Sequence, residues 1–103
     1  MSINQISSEV PVNYKLYQNY PNPFNPVTKI RYELKLGSFV KLKIFNIKGR
    51  EVKTIVNERQ NEGVYEVDFS ATEYGSSLSS GVYFYSLFIG DNFIDTKKMI
   101  VLK

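Results

Sequence analysis

Side-chain catalysis needs a nucleophile, a proton carrier and donors for developing charge, and this chain can assemble no such set. It has no histidine and no cysteine, which removes the commonest general base, the thiolate nucleophile and the commonest metal ligands together. Ser79-Ser80-Gly81 reads as a loop, not as the strained elbow that exposes a serine nucleophile. No catalytic residue is expected. Glu66 and Asp68 lie two apart on one strand face, but two carboxylates fall far short of the roughly six to eight oxygens that Ca²⁺ takes. No metal or other cofactor is expected either. Gly49 and Gly81 precede no helix, so they are backbone positions needing positive φ or close approach rather than phosphate cradles. Recognition chemistry remains. Tyr83 and Tyr85 could stack on a sugar or pack beneath the neighbouring Ser/Gly loop. Lys97, Lys98 and Lys103 could meet acidic groups on a receptor or simply keep a strand edge soluble.

The other recognition candidate is Tyr20-Pro21-Asn22-Pro23-Phe24-Asn25-Pro26, with three prolines in six residues. Each proline removes a backbone donor and fixes φ, so the segment belongs to neither a helix nor a central strand. Asn22 and Asn25 precede prolines and are pushed toward extended conformations, with amides free to bond nearby backbone. An extended, rigid lead-in to a strand is predicted. It could guard a sheet edge, present Pro21, Asn22 and Pro23 to a partner, or do both.

The elements that position these residues are strands. The 103 residues fit one domain with one modest core. Thirteen Lys/Arg against ten Asp/Glu give +3 and a pI near 9.1, a mild basicity and not in itself a nucleic-acid footprint. No apolar run approaches the roughly 20 residues of a membrane helix, and no export signal of the usual form opens the chain. Residues 1–13 read as a linker or expression remnant, polar, aperiodic and holding Pro11, and 14–103 as the domain.

Within the domain the period is two. Ile30, Tyr32 and Leu34 alternate with Lys29, Arg31 and Glu33, and Val40, Leu42 and Ile44 alternate with lysines. Asn46 to Gly49 suits a turn into the strand Glu51–Val56, and Tyr65, Val67 and Phe69 share the apolar face of the next strand. A Ser/Gly loop near 70–80 follows, with Tyr74 and Leu78 tucking onto the core. Gly81 to Ile89 is apolar on both faces, as in a central strand, and Gly90-Asp91-Asn92 suits a tight hairpin into a final strand, about 93–102. That strand changes parity, which a bulge near Lys97-Lys98 would reconcile. About seven short strands without a helical period predict an all-β, antiparallel, immunoglobulin-like β-sandwich. Ile30, Tyr32, Leu34, Val40, Leu42, Ile44, Val67, Phe69, Val82 and Phe84 are its expected core.

Four blocks in order, Tyr17 to Pro26, Gly49-Arg50-Glu51-Val52, Leu78 to Tyr85, and Lys97-Lys98-Met99-Ile100-Val101-Leu102-Lys103, resemble the type A C-terminal sorting domain of the type IX secretion system. The resemblance covers residues 16 to 103. It implies an immunoglobulin-like, non-catalytic sandwich carried behind an N-terminal cargo domain. The cargo would pass through the periplasm and the outer-membrane translocon to the outer membrane or cell surface, or be secreted, and a sortase-like peptidase would often remove the domain and leave the cargo on lipopolysaccharide. Pro21, Asn22, Pro23, Lys97, Lys98, Met99, Val101, Leu102 and Lys103 are the residues it offers for translocon recognition, with Gly49, Gly81 and Gly90 at structural turns. Neither nucleic-acid binding nor membrane insertion is implied. The hook-capping protein's immunoglobulin-like domain is similar in fold. Two departures stand out: Asp68-Phe69-Ser70 replaces the family's frequent Trp-Asp-Gly, and Ser86 stands where arginine is common. An adhesive or carbohydrate-binding β-sandwich is the alternative, and it would show exposed aromatics on one flat face and tolerate loss of its last residues.

Overall fold

A computed structural model describes residues 3–72 and 78–102. Eight strands run in chain order: β1 Ile3–Ser7, β2 Lys15–Leu16, β3 Val27–Leu34, β4 Ser38–Asn46, β5 Glu51–Gln60, β6 Gly63–Ser70, β7 Gly81–Ile89 and β8 Asn92–Val101. They form two antiparallel four-stranded sheets, β1-β6-β3-β2 and β5-β4-β7-β8. This is the sandwich the alternation predicts, with one strand more than the sequence suggests. Among the described residues no helix is long and apolar enough to cross a membrane.

Alternation fixes which face of each sheet is buried, because a one-residue slip would turn a strand's whole apolar set outward. Ile30, Tyr32 and Leu34 of β3 and Tyr65, Val67 and Phe69 of β6 face Val40, Leu42 and Ile44 of β4, all in one core. Tyr32 and Tyr65 stack with ring centroids 5.5 Å apart, and the Tyr32 hydroxyl donates to Gln60 Oε1 at 2.6 Å.

Two expectations about the second sheet are corrected. Val82 and Phe84 are not core residues; Tyr83, Tyr85, Leu87 and Ile89 are buried instead. Phe84 lies opposite Phe45 and Tyr85 opposite Ile44, so the register of β4 sets the inward face of a strand that is apolar on both. The bulge lies at Ile94 rather than at Lys97-Lys98, since Leu87 pairs with Asp95 and Phe88 with Phe93. Further register shifts opposite Leu42/Lys43 and Ile44/Phe45 let consecutive Ile55 and Val56 both be buried in β5.

Residues 3–7, which show no strand period in the sequence, pair with β6. The close approach depends on Gly63: with φ at 144°, a Cβ there would stand 2.3 Å from Gln5 Nε2 and 2.7 Å from the Ser7 carbonyl. Leu78 packs against the core, whereas Tyr74 lies outside the described residues.

Candidate functional site

The proline segment and β8, far apart in sequence, are hydrogen-bonded to each other. Phe24 N–H donates to the Ile100 carbonyl at 3.0 Å, and Leu102 N–H donates to the Phe24 carbonyl at 2.9 Å, a parallel bridge between Phe24 and Val101. Ile100 N–H donates to Asn22 Oδ1 at 2.9 Å, and Gln18 Nε2 donates to the Lys98 carbonyl at 2.6 Å. The edge of β8 is therefore occupied from Lys98 to Leu102. A segment whose prolines cannot donate supplies donors and acceptors only from Gln18, Asn22 and Phe24, which is the edge-guarding arrangement.

The same segment is tied to the other sheet. Tyr20 and Lys29 exchange backbone hydrogen bonds at 3.0 and 2.9 Å, so residues 20–24 cross from β3 to β8. Peptide bonds before Pro21, Pro23 and Pro26 are cis. The Pro21 carbonyl accepts from Thr28 Oγ1 at 2.8 Å and Asn19 Nδ2 at 3.2 Å. Asn19 N–H donates to the Tyr85 hydroxyl at 2.6 Å, and that hydroxyl donates to the Tyr17 carbonyl at 2.7 Å. Burial holds the Tyr85 proton on well above the usual tyrosine range, opposed by the bond from Asn19. Phe24 is 2% exposed and meets Phe69 edge to face at 6.2 Å. The crossing segment is thus anchored in the core while Tyr20, Pro21, Asn22 and Pro23 stay exposed.

The residues expected at the recognition site separate into two groups. Pro21, Asn22, Pro23, Lys98 and Leu102 are exposed and adjoin along the β8 edge. Met99 and Val101 are fully buried, so their side chains hold the sandwich together and offer nothing to a partner. Lys97 is half-buried with Nζ 3.6 Å from Asp95 Oδ2, and Lys103 lies outside the described residues. Gly49, Gly81 and Gly90 have φ of 79°, 150° and 60°. At the β4–β5 turn, Gly49 N–H donates to the Asn46 carbonyl at 2.9 Å, and Asn46 Oδ1 accepts from the N–H of Lys48 and of Arg50. Asn46 closes a turn whose backbone a side chain at Gly49 would disfavour.

The other chemistry weighed in the sequence has a structural account. Lys29 Nζ lies 3.0 Å from Asp68 Oδ1 and 3.5 Å from Glu66 Oε1, and its hydrogen bond to Asp68 raises its pKa. A lysine ammonium thus occupies the place between those carboxylates, and no cluster of three acidic groups that could hold a metal occurs among the described residues. Tyr83 and Tyr85 are buried, so neither can serve as a sugar-stacking platform.

The family described as "Secretion system C-terminal sorting domain" matches residues 18–102 of this chain. One solved structure with the same fold is that of PorZ, described as an essential bacterial surface component of the type-IX secretion system of human oral-microbiomic Porphyromonas gingivalis. The TM-score is 0.59 at 21% identity, covering 85% of this chain and 11% of that one. No curated protein matches the chain.

Proposed function

The chain belongs to the secretion system C-terminal sorting domain family, and from that premise we propose that it is the non-catalytic module by which the type IX translocon recognises a larger cargo protein and exports it. Cargo joined ahead of residue 14 crosses the outer membrane, a sortase-like peptidase cuts within residues 1–13, and the cargo stays at the cell surface or is released. Residues 14–103 are the module, and residues 1–13 connect it to the cargo, with 3–7 of that connection paired onto β6.

One observation carries the reading. The exposed proline block and the exposed side chains of β8 form a single surface, held by the hydrogen bonds of Gln18, Asn22 and Phe24 to Lys98, Ile100 and Leu102. Two sequence-distant motifs that meet at the surface offer a translocon one composite target, available only when the sandwich is folded. Pro21, Asn22, Pro23, Lys98 and Leu102 are its accessible members among the described residues. A partner reads their side chains, because the backbone edge between 98 and 102 is already paired.

The test fuses residues 3–103 to an inert periplasmic reporter in a type IX-competent host. Reporter at the surface or in the medium, lost in a translocon-deficient strain, is the expected result. A reporter retained in the periplasm while the fused domain remains folded would overturn the assignment.

A further inference from the structure

Two motif blocks take no part in the proline–β8 surface, Gly49-Arg50-Glu51-Val52 and the stretch from Leu78 to Tyr83. The fold brings them together as facing walls of one open groove of about 460 Å³ at an end of the sandwich. One wall is the β4–β5 turn with Ile47, Lys48, Arg50 and Val52, and the other is the approach to β7 with Leu78, Ser79 and Val82. We propose that this groove is a docking site for an extended segment of a partner protein that carries carboxylates and apolar side chains in alternation.

The charge of the lining selects the partner's sign. Among the described residues Lys48 and Arg50 are its cations, no carboxylate lines it, and neither cation is in an ion pair. An acidic segment finds complementary charge there and a basic one finds repulsion. The apolar component follows from Ile47, 70% exposed at the tip of a turn, and Val52, 39% exposed, which stand across from half-buried Leu78 and Val82. Ile47 and Val52 with Leu78 and Val82 thus give the groove apolar side chains on both walls, a contiguous lining that an apolar partner would cover.

Both walls are fixed before anything binds. Asn46 Oδ1 holds the Lys48 and Arg50 N–H groups at 2.9 and 3.1 Å. Opposite, Leu78 N–H donates to the Ala71 carbonyl at 2.7 Å and the Tyr83 hydroxyl to the Ser79 carbonyl at 2.9 Å. A preformed groove spends little of the binding free energy on its own ordering.

The experiment uses the full chain labelled with ¹⁵N, titrated with a short blocked peptide of alternating aspartate and leucine. Two control peptides carry lysine for aspartate or serine for leucine. The acidic apolar peptide should shift the amides of residues 46–52 and 78–83, and both controls should bind at least roughly tenfold more weakly. Arg50→Glu should lower the peptide's affinity by a similar factor while the thermal midpoint stays unchanged, and Lys48→Glu should do the same. Unmoved groove amides, equal binding of the lysine peptide, or undiminished binding by both variants would each overturn the proposal. So would the same shifts produced by raising the protein concentration alone, which assigns the groove to a second copy, or by vesicles of anionic phospholipid, which assigns it to a lipid surface. Because the readout is peptide binding and not export, these outcomes are independent of the proline–β8 surface.

Discussion

Tyr85 illustrates at the scale of one residue how the proline segment is held. Its hydroxyl accepts from Asn19 N–H and donates to the Tyr17 carbonyl, joining β7 to the strand lead-in across the core. Tyr85→Phe keeps the ring and leaves both backbone groups unpaired in a buried place, so stability should fall by about 1–3 kcal/mol, measured by thermal or urea unfolding. The same hydroxyl makes the protein sensitive to alkali. Burial raises the folded-state pKa of Tyr85, and of Tyr32 for the same reason, above the value of about 10 that an unfolded tyrosine has. The unfolded chain therefore loses these protons first as pH rises, and binds fewer of them than the folded one. Stability is full below about pH 10 and declines above it by up to about 1.4 kcal/mol per pH unit for each buried tyrosine. Tyr85→Phe should flatten that decline, and an unchanged slope between the two proteins would refute the assignment. The sequence shows neither the burial of Tyr85, whose strand is apolar on both faces, nor its bonds, because its partners are backbone groups 66 and 68 positions away.

At the scale of elements, β3, β4 and β6 were legible because polar residues mark one face of each, and a period of two leaves one register. Leu42 shows the consequence: fully buried in the shared core, its replacement by alanine should cost about 2–5 kcal/mol, read as a drop in the denaturation midpoint. The inward face of β7 was not legible, since Val82, Tyr83, Phe84 and Tyr85 offer apolar side chains to both faces and only pairing with β4 decides between them. Nor was the bulge at Ile94, where the pairing with β7 departs from the register that the Gly90-Asp91 turn starts. For the proposed recognition surface, the sequence offered both motif blocks without their contact, because a parallel bridge between Phe24 and Val101 has no local signature. Asn22 is the economical test of that contact. Asn22→Ala removes the acceptor for Ile100 N–H, and hydrogen exchange at Ile100 should speed up while exchange in β3 and β4 stays slow. Equal protection at Ile100 in both proteins would mean that the proline block does not close this edge.

For the whole molecule, export and folding have to be separated, because β8 serves both the sandwich and the proposed surface. Deleting residues 101–103 removes Val101, which is fully buried and bridges to Phe24, so a loss of export on that deletion would follow from unfolding as readily as from a missing signal. Lys98→Glu separates the two. Its side chain is exposed and outside every ion pair among the described residues, while its backbone carbonyl still accepts from Gln18. Exposed charge changes of this kind usually move stability by no more than about 0.5 kcal/mol. A translocon that reads the composite surface should therefore export a Lys98→Glu reporter several-fold less than the parent at an unchanged thermal midpoint. Lys103→Glu tests another lysine that the family resemblance offers, with its thermal midpoint measured alongside. The comparison is complete when reporter export is plotted against the midpoint for both charge variants, the 101–103 deletion and Leu42→Ala. If all four fall on one line and the charge variants export normally, these lysines carry no signal and β8 acts only by completing the fold. If the charge variants fall below that line, export depends on their charge beyond its effect on stability.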